Sequence, residues 1–232
     1  GEILPEQFFS WVNSLPEEEA DVLKYDLLVM DEGQDIIKPV YLYSLDALLK
    51  GGLEKGNWAI FYDEKQNIYN PEYTDGMELI ESYACTRFKL FVNCRNTVQI
   101  GTYSSKTSGV AINEFLQENG EEVQKIVYSD KADFKQKVKE ILKNLRAEKV
   151  DLADVVFLAP KKYSNSVLDE IGIEVNELGG NFDASSPLPR YATIQGFKGL
   201  DSKIVILVEV DNISDKNFSR LMYIAATRAR TL

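Results

Sequence analysis

Short runs rich in β-branched and aromatic residues alternate with longer amphipathic stretches along the whole chain, from "YDLLVMD" near one end to "KIVILVEV" near the other. The two periods are those of strands and helices, and their alternation is the pattern of βαβ units around a parallel sheet. The runs predict strands over 25–31, 58–63, 88–93, 122–129, 154–160, 191–197 and 203–210. Helices are predicted over 40–49, 76–84, 97–105, 132–147, 164–171 and 216–229. "KIVILVEV" is apolar at nearly every position, as a strand covered on both faces must be. No internal repeat or low-complexity segment interrupts the pattern. One αβ set finishes and another begins near residues 86–95, which predicts two lobes, 1–87 and 88–232, sharing a cleft.

Composition narrows this picture without changing it. With 232 residues, 44% hydrophobic and 27% charged, the chain has the make-up of an ordinary soluble globular protein with one or two cores. No apolar run approaches the roughly 20 residues needed to span a bilayer. "GEILPEQFF" lacks the basic start and apolar stretch of a signal peptide, so a cytoplasmic protein with no membrane partner is expected. Cys85 and Cys94 are the only cysteines and histidine is absent, which leaves too few ligands for a zinc site and too few pairs for a disulfide framework. A net charge of −11 opposes binding nucleic acid by bulk attraction, though it leaves room for a local basic groove. The acids of "PEEEAD" at 16–21 read as a solvated helix start.

One stretch sets a problem. "DLLVMDEGQD" at 26–35 ends an apolar strand in Asp31, Glu32 and Asp35, three carboxylates that repel one another. In parallel α/β sheets ligands gather beyond the carboxyl ends of the strands. A carboxylate there suits Mg²⁺ held partly through water, and a neighbouring carboxylate can orient an attacking water. The metal would relieve the repulsion. The plain alternative is an acidic turn without a ligand. The next strand repeats the arrangement: "FYDEKQNIY" at 61–69 places Asp63 and Gln66 at its carboxyl end. Farther on come "NCRNT" at 93–97, "ATIQGFKGLD" at 192–201 and "LMYIAATRAR" at 221–230.

Taken in order, these segments resemble motifs II to VI of the UvrD/Rep-type superfamily 1 DNA helicases, and they spread from residue 25 to residue 230. "DEGQD" is similar to the family's DExQD and "YDEKQNIY" to its GDxxQSIY. "NCRN" resembles NYRS, "TIQGFKGLD" resembles TxHxxKGLE, and "YIAATRA" resembles YVALTRA. The resemblance implies RecA-like lobes of the P-loop NTPase type, the first incomplete and the second complete. It implies that Asp31 binds Mg²⁺, that Glu32 activates the hydrolytic water, and that Gln66 senses the γ-phosphate of ATP and couples it to DNA. Arg95 and Arg228 would be arginine fingers, since a fixed guanidinium matches phosphate geometry and neutralises charge developing in phosphoryl transfer. Asp201, standing where the family has Glu, would hold the ribose. Gln34, Asp63, Lys198 and Gly199 fall in the nucleotide-binding motifs, and Thr193 and Gln195 in the part of motif V that meets DNA.

The departures carry their own expectations. The family's adenine-stacking Tyr is Cys94 here, so adenine recognition is expected to be weaker or to use other residues. Its motif V His is Gln195, which keeps the ability to hydrogen-bond a DNA phosphate. The base-stacking Trp-Arg-Gly segment is replaced by "NPEYTDG", leaving Tyr69 or Tyr73 either to stack on a base or to anchor a loop. Residues 97–190 are accounted for by core strands and helices, so the family's large insertion between motifs IV and V is expected to be missing.

The chain contains no GxxxxGK[ST], the loop whose backbone N–H groups and Lys hold ATP phosphates. In the family that loop precedes DExQD. The expectation is therefore a fragment of an ATP-dependent DNA helicase or translocase, acting on single-stranded or partly duplex DNA, that does not hydrolyse ATP by itself. The alternatives are a helicase-like module that binds DNA or a partner without ATPase activity, and a nucleotide-independent α/β domain with chance motifs.

Overall fold

The structure is a computed structural model and describes residues 3–67, 70–112, 114–180, 182–210 and 215–231. The chain forms two compact units, Gly1–Lys89 and Leu90–Leu232. Among the described residues every strand ladder is parallel, so the protein is mixed α/β. No helix among them is long and apolar enough to cross a membrane.

The first unit opens with helices α1 (Ile3–Ser14) and α2 (Glu17–Val22). Strand β1 (Leu27–Met30) follows, then helices α3 (Pro39–Leu48) and α4 (Gly52–Lys55), strand β2 (Asn57–Ile60) and helix α5 (Tyr73–Ser82). α1 has no counterpart among the predicted helices. Pro5 disguises it, yet proline is tolerated in a helix's first turn, where its missing N–H would be unpaired anyway. Val12 of α1 is buried, and Ser44 of α3 donates its hydroxyl to the Pro5 carbonyl at 3.0 Å. β1 and β2 run parallel in the register Leu27↔Asn57 to Met30↔Ile60. The core beside them gathers Met30, Ile37, Leu42, Leu53, Tyr73 and Ile80.

The second unit begins with the parallel pair β3 (Val92–Asn93) and β4 (Glu114–Phe115), separated in sequence by helix α6 (Val98–Ser108). Helix α7 (Lys131–Ala147) precedes strand β5 (Val155–Ala159). Then come helix α8 (Val167–Glu170), strands β6 (Asn176–Glu177), β7 (Arg190–Thr193) and β8 (Ile204–Leu207), and helix α9 (Asp215–Ala226). The four-stranded sheet has the order β6-β7-β5-β8, which makes β5 a central strand, and all five of its residues are fully buried. α7 lays Phe134, Val138, Leu142 and Leu145 on the same core, one apolar stripe at helical spacing. Its N-cap is Asp130, whose carboxylate accepts from the Asp133 N–H at 2.9 Å.

Two predicted strands differ in the structure. Over 88–93 only Val92–Asn93 joins a ladder, and Phe88 and Leu90 are almost fully exposed. Over 122–129 no strand forms; Tyr128 instead packs its ring on Phe134 of α7, centroids 4.7 Å apart. Both runs have strand-like composition, but a strand exists only where a neighbour supplies the ladder. The strand predicted over 191–197 stops at Thr193, because Thr193 caps a tight turn: its hydroxyl accepts from the Gly196 N–H and its carbonyl from the Phe197 N–H.

Candidate active site

In the first unit the chain reverses immediately after Asp31. The Phe61 N–H donates to the Met30 carbonyl, and the Gly33 N–H to the Phe61 carbonyl, each at 2.8 Å. This draws Gly33 beneath β2 so closely that a Cβ there would lie 2.7 Å from Ile60 Cγ2. Glu32 takes up the turn in the left-handed region, with φ 51°. A side chain at positive φ costs on the order of 1–3 kcal/mol, and such residues concentrate where a group must be aimed.

What fixes the aim is a line of hydrogen bonds. Gln34 is completely buried; its amide N–H donates to Glu32 Oε2 and its carbonyl oxygen accepts from the Asp63 backbone N–H at 2.9 Å. Asp63 Oδ2 then accepts from the Gln66 amide at 2.8 Å, and Asp63 Oδ1 from the Lys65 N–H at 3.0 Å. The side-chain oxygen of Gln66 is buried and has no hydrogen-bond partner among the described residues. Glu32, Gln34, Asp63 and Gln66 therefore form one connected series across the carboxyl ends of two adjacent strands. With Asp31, Phe61 and Tyr62 they line a cavity of about 200 Å³. The repulsion among the acids is eased by separate partners, since Asp31 Oδ1 accepts from the Glu32 backbone N–H at 2.9 Å.

Sequence reasoning missed the brace behind this site. Asn70 is buried, and its amide donates to the carbonyls of Gln34 (3.1 Å) and Ile37 (2.7 Å), tying the acidic turn to the segment after Gln66. Tyr73 lies in the core of the unit at 9% exposure, against Tyr62, and burial holds its hydroxyl pKa well above the usual value. Its ring is thus a packing element, not an exposed platform for a base. Tyr69 lies outside the described residues.

In the second unit, the segments around residues 95, 200 and 228 converge. Asn96 is 1% exposed, and its amide donates to the carbonyls of Thr227 (3.1 Å) and Ala229 (2.6 Å) across 131 and 133 residues of sequence. Its neighbour Arg95 reaches solvent, with Nε 3.8 Å from Asp201 Oδ2. Arg228 is buried. Its guanidinium donates to the Ile224 carbonyl at 3.1 Å, the Leu200 carbonyl at 3.4 Å and the Thr227 hydroxyl at 3.3 Å. Ser202 pairs with Ala229 in a parallel bridge. Arg230, which sequence reasoning did not single out, holds Asp201 at 2.8 Å. Thr193, Gln195 and Lys198 are half-buried in the turn after β7, and Gly199 closes it at φ 83°, a conformation that suits glycine.

The Asn96 clamp has a measurable consequence. Asn96→Ala removes the donor and leaves two buried carbonyls unpaired, so a loss of about 1–3 kcal/mol is expected. Urea unfolding that places the variant within about 0.3 kcal/mol of wild type would show that the clamp carries no stability.

The donor set also bears on a metal. Among the described residues no group of three or more His, Cys, Asp or Glu is placed to hold an ion. Among those residues a cation caged by protein alone does not fit. Mg²⁺ does, because it keeps several waters and takes one or two carboxylates together with substrate phosphates; Asp31 supplies such a carboxylate at the edge of the cavity. Compared with models of known protein families and with curated protein sequences, the chain matches none.

Proposed function

We propose that this chain carries the hydrolytic and arginine-bearing parts of an ATP-driven motor of the superfamily 1 helicase type, with RecA-like lobes, that moves on single-stranded DNA. The observation that carries the reading is the hydrogen-bonded series Glu32–Gln34–Asp63–Gln66 across the ends of two parallel strands. It joins a potential base to a buried amide oxygen through residues that sequence order alone does not connect.

Mg²⁺ bound with the triphosphate, held through Asp31, would supply charge neutralisation at the phosphate oxygens. Glu32 accepts the proton of the attacking water, and Gln34 fixes the plane of that carboxylate by holding Oε2. The Gln66 side-chain oxygen, without a partner among the described residues, accepts a hydrogen bond from the same water or from a group that moves with it. A change there passes along Asp63 and Gln34. Arg95, in the second unit, carries a guanidinium of the kind that neutralises charge developing on a transferred phosphate. Arg228 supports the turn that carries Leu200 and Asp201. Thr193 and Gln195, in the turn after β7, offer polar groups to DNA phosphates.

ATP hydrolysis by the full-length protein, titrated with a single-stranded oligonucleotide, tests the reading. The expected result is a rate that rises with DNA. Absence of hydrolysis with and without DNA would instead favour a helicase-like binding module, a reading supported by the lack of a GxxxxGK[ST] loop in these residues. For the same reason the 232-residue chain alone is expected to bind ATP–Mg²⁺ weakly and to hydrolyse none.

A further inference from the structure

Arg230 and Arg95 share one partner atom. Asp201 Oδ2 lies 2.8 Å from Arg230 Nη2 and 3.8 Å from Arg95 Nε, so the first contact is a full hydrogen-bonded ion pair and the second is only Coulombic. The arrangement is built into the backbone. The Ser202 N–H donates to the Arg228 carbonyl at 3.0 Å and the Arg230 N–H to the Ser202 carbonyl at 2.9 Å, which fixes Asp201 beside Arg230. Asn96 fixes the loop that carries Arg95 against the Thr227–Ala229 segment that makes the same bridge with Ser202. The side chains of Arg95, Arg230 and Asp201 are 41%, 59% and 27% exposed, so an ion from solution reaches them. Two guanidinium groups and one carboxylate leave a local charge of +1 in a chain whose net charge is −11.

We propose that Arg230 is a positioning residue for a polyphosphate: by holding Asp201 it keeps Arg95 out of a closed ion pair and available to the anion. The inference rests on the reading of Arg95 as the phosphate-contacting arginine. Without Arg230, Asp201 keeps Arg95 as its ion-pair partner among the described residues. Arg95 then closes on it, because a carboxylate prefers a hydrogen-bonded guanidinium to one at Coulombic distance. The pair becomes neutral, and its attraction for an anion is lost. With Arg230 present, an arriving polyphosphate takes Arg95 while Asp201 stays compensated.

The test uses the 232-residue chain, inorganic tripolyphosphate as the probe, and arginine Nε–H resonances observed by NMR. In wild type the Arg95 Nε–H resonance is expected to move on titration. In Arg230→Gln it is expected to be displaced already in the free protein, and the affinity for tripolyphosphate to fall about tenfold, as for the loss of one charge-assisted contact. Arg230→Lys retains the charge and is expected to keep Arg95 near its wild-type resonance, which also guards against a variant that merely unfolds. Lost affinity with the free-state Arg95 resonance unchanged would make Arg230 a direct contact and overturn the proposal. So would a wild-type Arg95 that ignores tripolyphosphate. ATP hydrolysis by the full-length protein is read separately; its absence beside an intact Arg95 response would refute the motor reading and leave the role of Arg230 standing.

Discussion

Replacing Glu32 by Gln in the full-length protein is expected to lower DNA-stimulated ATP turnover by about 10²–10⁴-fold, the range for a lost general base, while ATP binding changes little. Glutamine keeps the volume of the side chain. It also keeps an oxygen that accepts from Gln34, so the series to Asp63 and Gln66 persists. What it loses is the ability to take a proton. The left-handed backbone at position 32 is also unchanged, so the unfolding midpoint is expected to stay near wild type. Steady-state hydrolysis at saturating single-stranded DNA, with nucleotide affinity measured alongside, separates the two effects. Turnover within a few-fold of wild type would remove Glu32 from the chemistry and leave it an acid at a strained turn.

Two arginines that look alike in sequence should fail in different ways. Arg95→Ala is expected to reduce turnover about 10³-fold, the low end for a supplied arginine finger, with the fold intact, because its side chain is partly exposed and its contact with Asp201 is long. Lys is a poor rescue, since it carries charge without the planar fork. Arg228→Ala is expected to destabilise the protein by about 2–4 kcal/mol, as it opens a cavity and removes the hydrogen bonds of a buried guanidinium. Arg228 is 2% exposed and donates to Ile224, Leu200 and Thr227. Comparing urea midpoints with turnover for the two variants decides the assignment. An Arg228→Ala protein as stable as wild type but catalytically dead would reverse it.

The parallel α/β architecture was legible because its signal is local: alternation of apolar runs with amphipathic stretches survives in any window of the chain. The acids and amides at the ends of β1 and β2 were legible for the same reason. Their connection was not, since Gln34 and Asp63 are 29 residues apart and only the strand pairing brings them together. Asn70 and Asn96 escaped notice because a buried asparagine that braces distant carbonyls reads in sequence like any loop asparagine. The runs 88–93 and 122–129 read as strands on composition alone, although a ladder needs a neighbour as well as a propensity. Tyr73 shows the converse: an aromatic residue in a polar segment turned out to belong to the core, because helix α5 points it inward.

The central claim is movement on single-stranded DNA driven by ATP, and it is tested most directly by the time the full-length protein takes to reach a fluorophore at one end of single strands of increasing length. The expected result is a lag that grows in proportion to length with ATP present and lengthens in Glu32→Gln as turnover falls. Hydrolysis of ATP with a lag independent of length would contradict it.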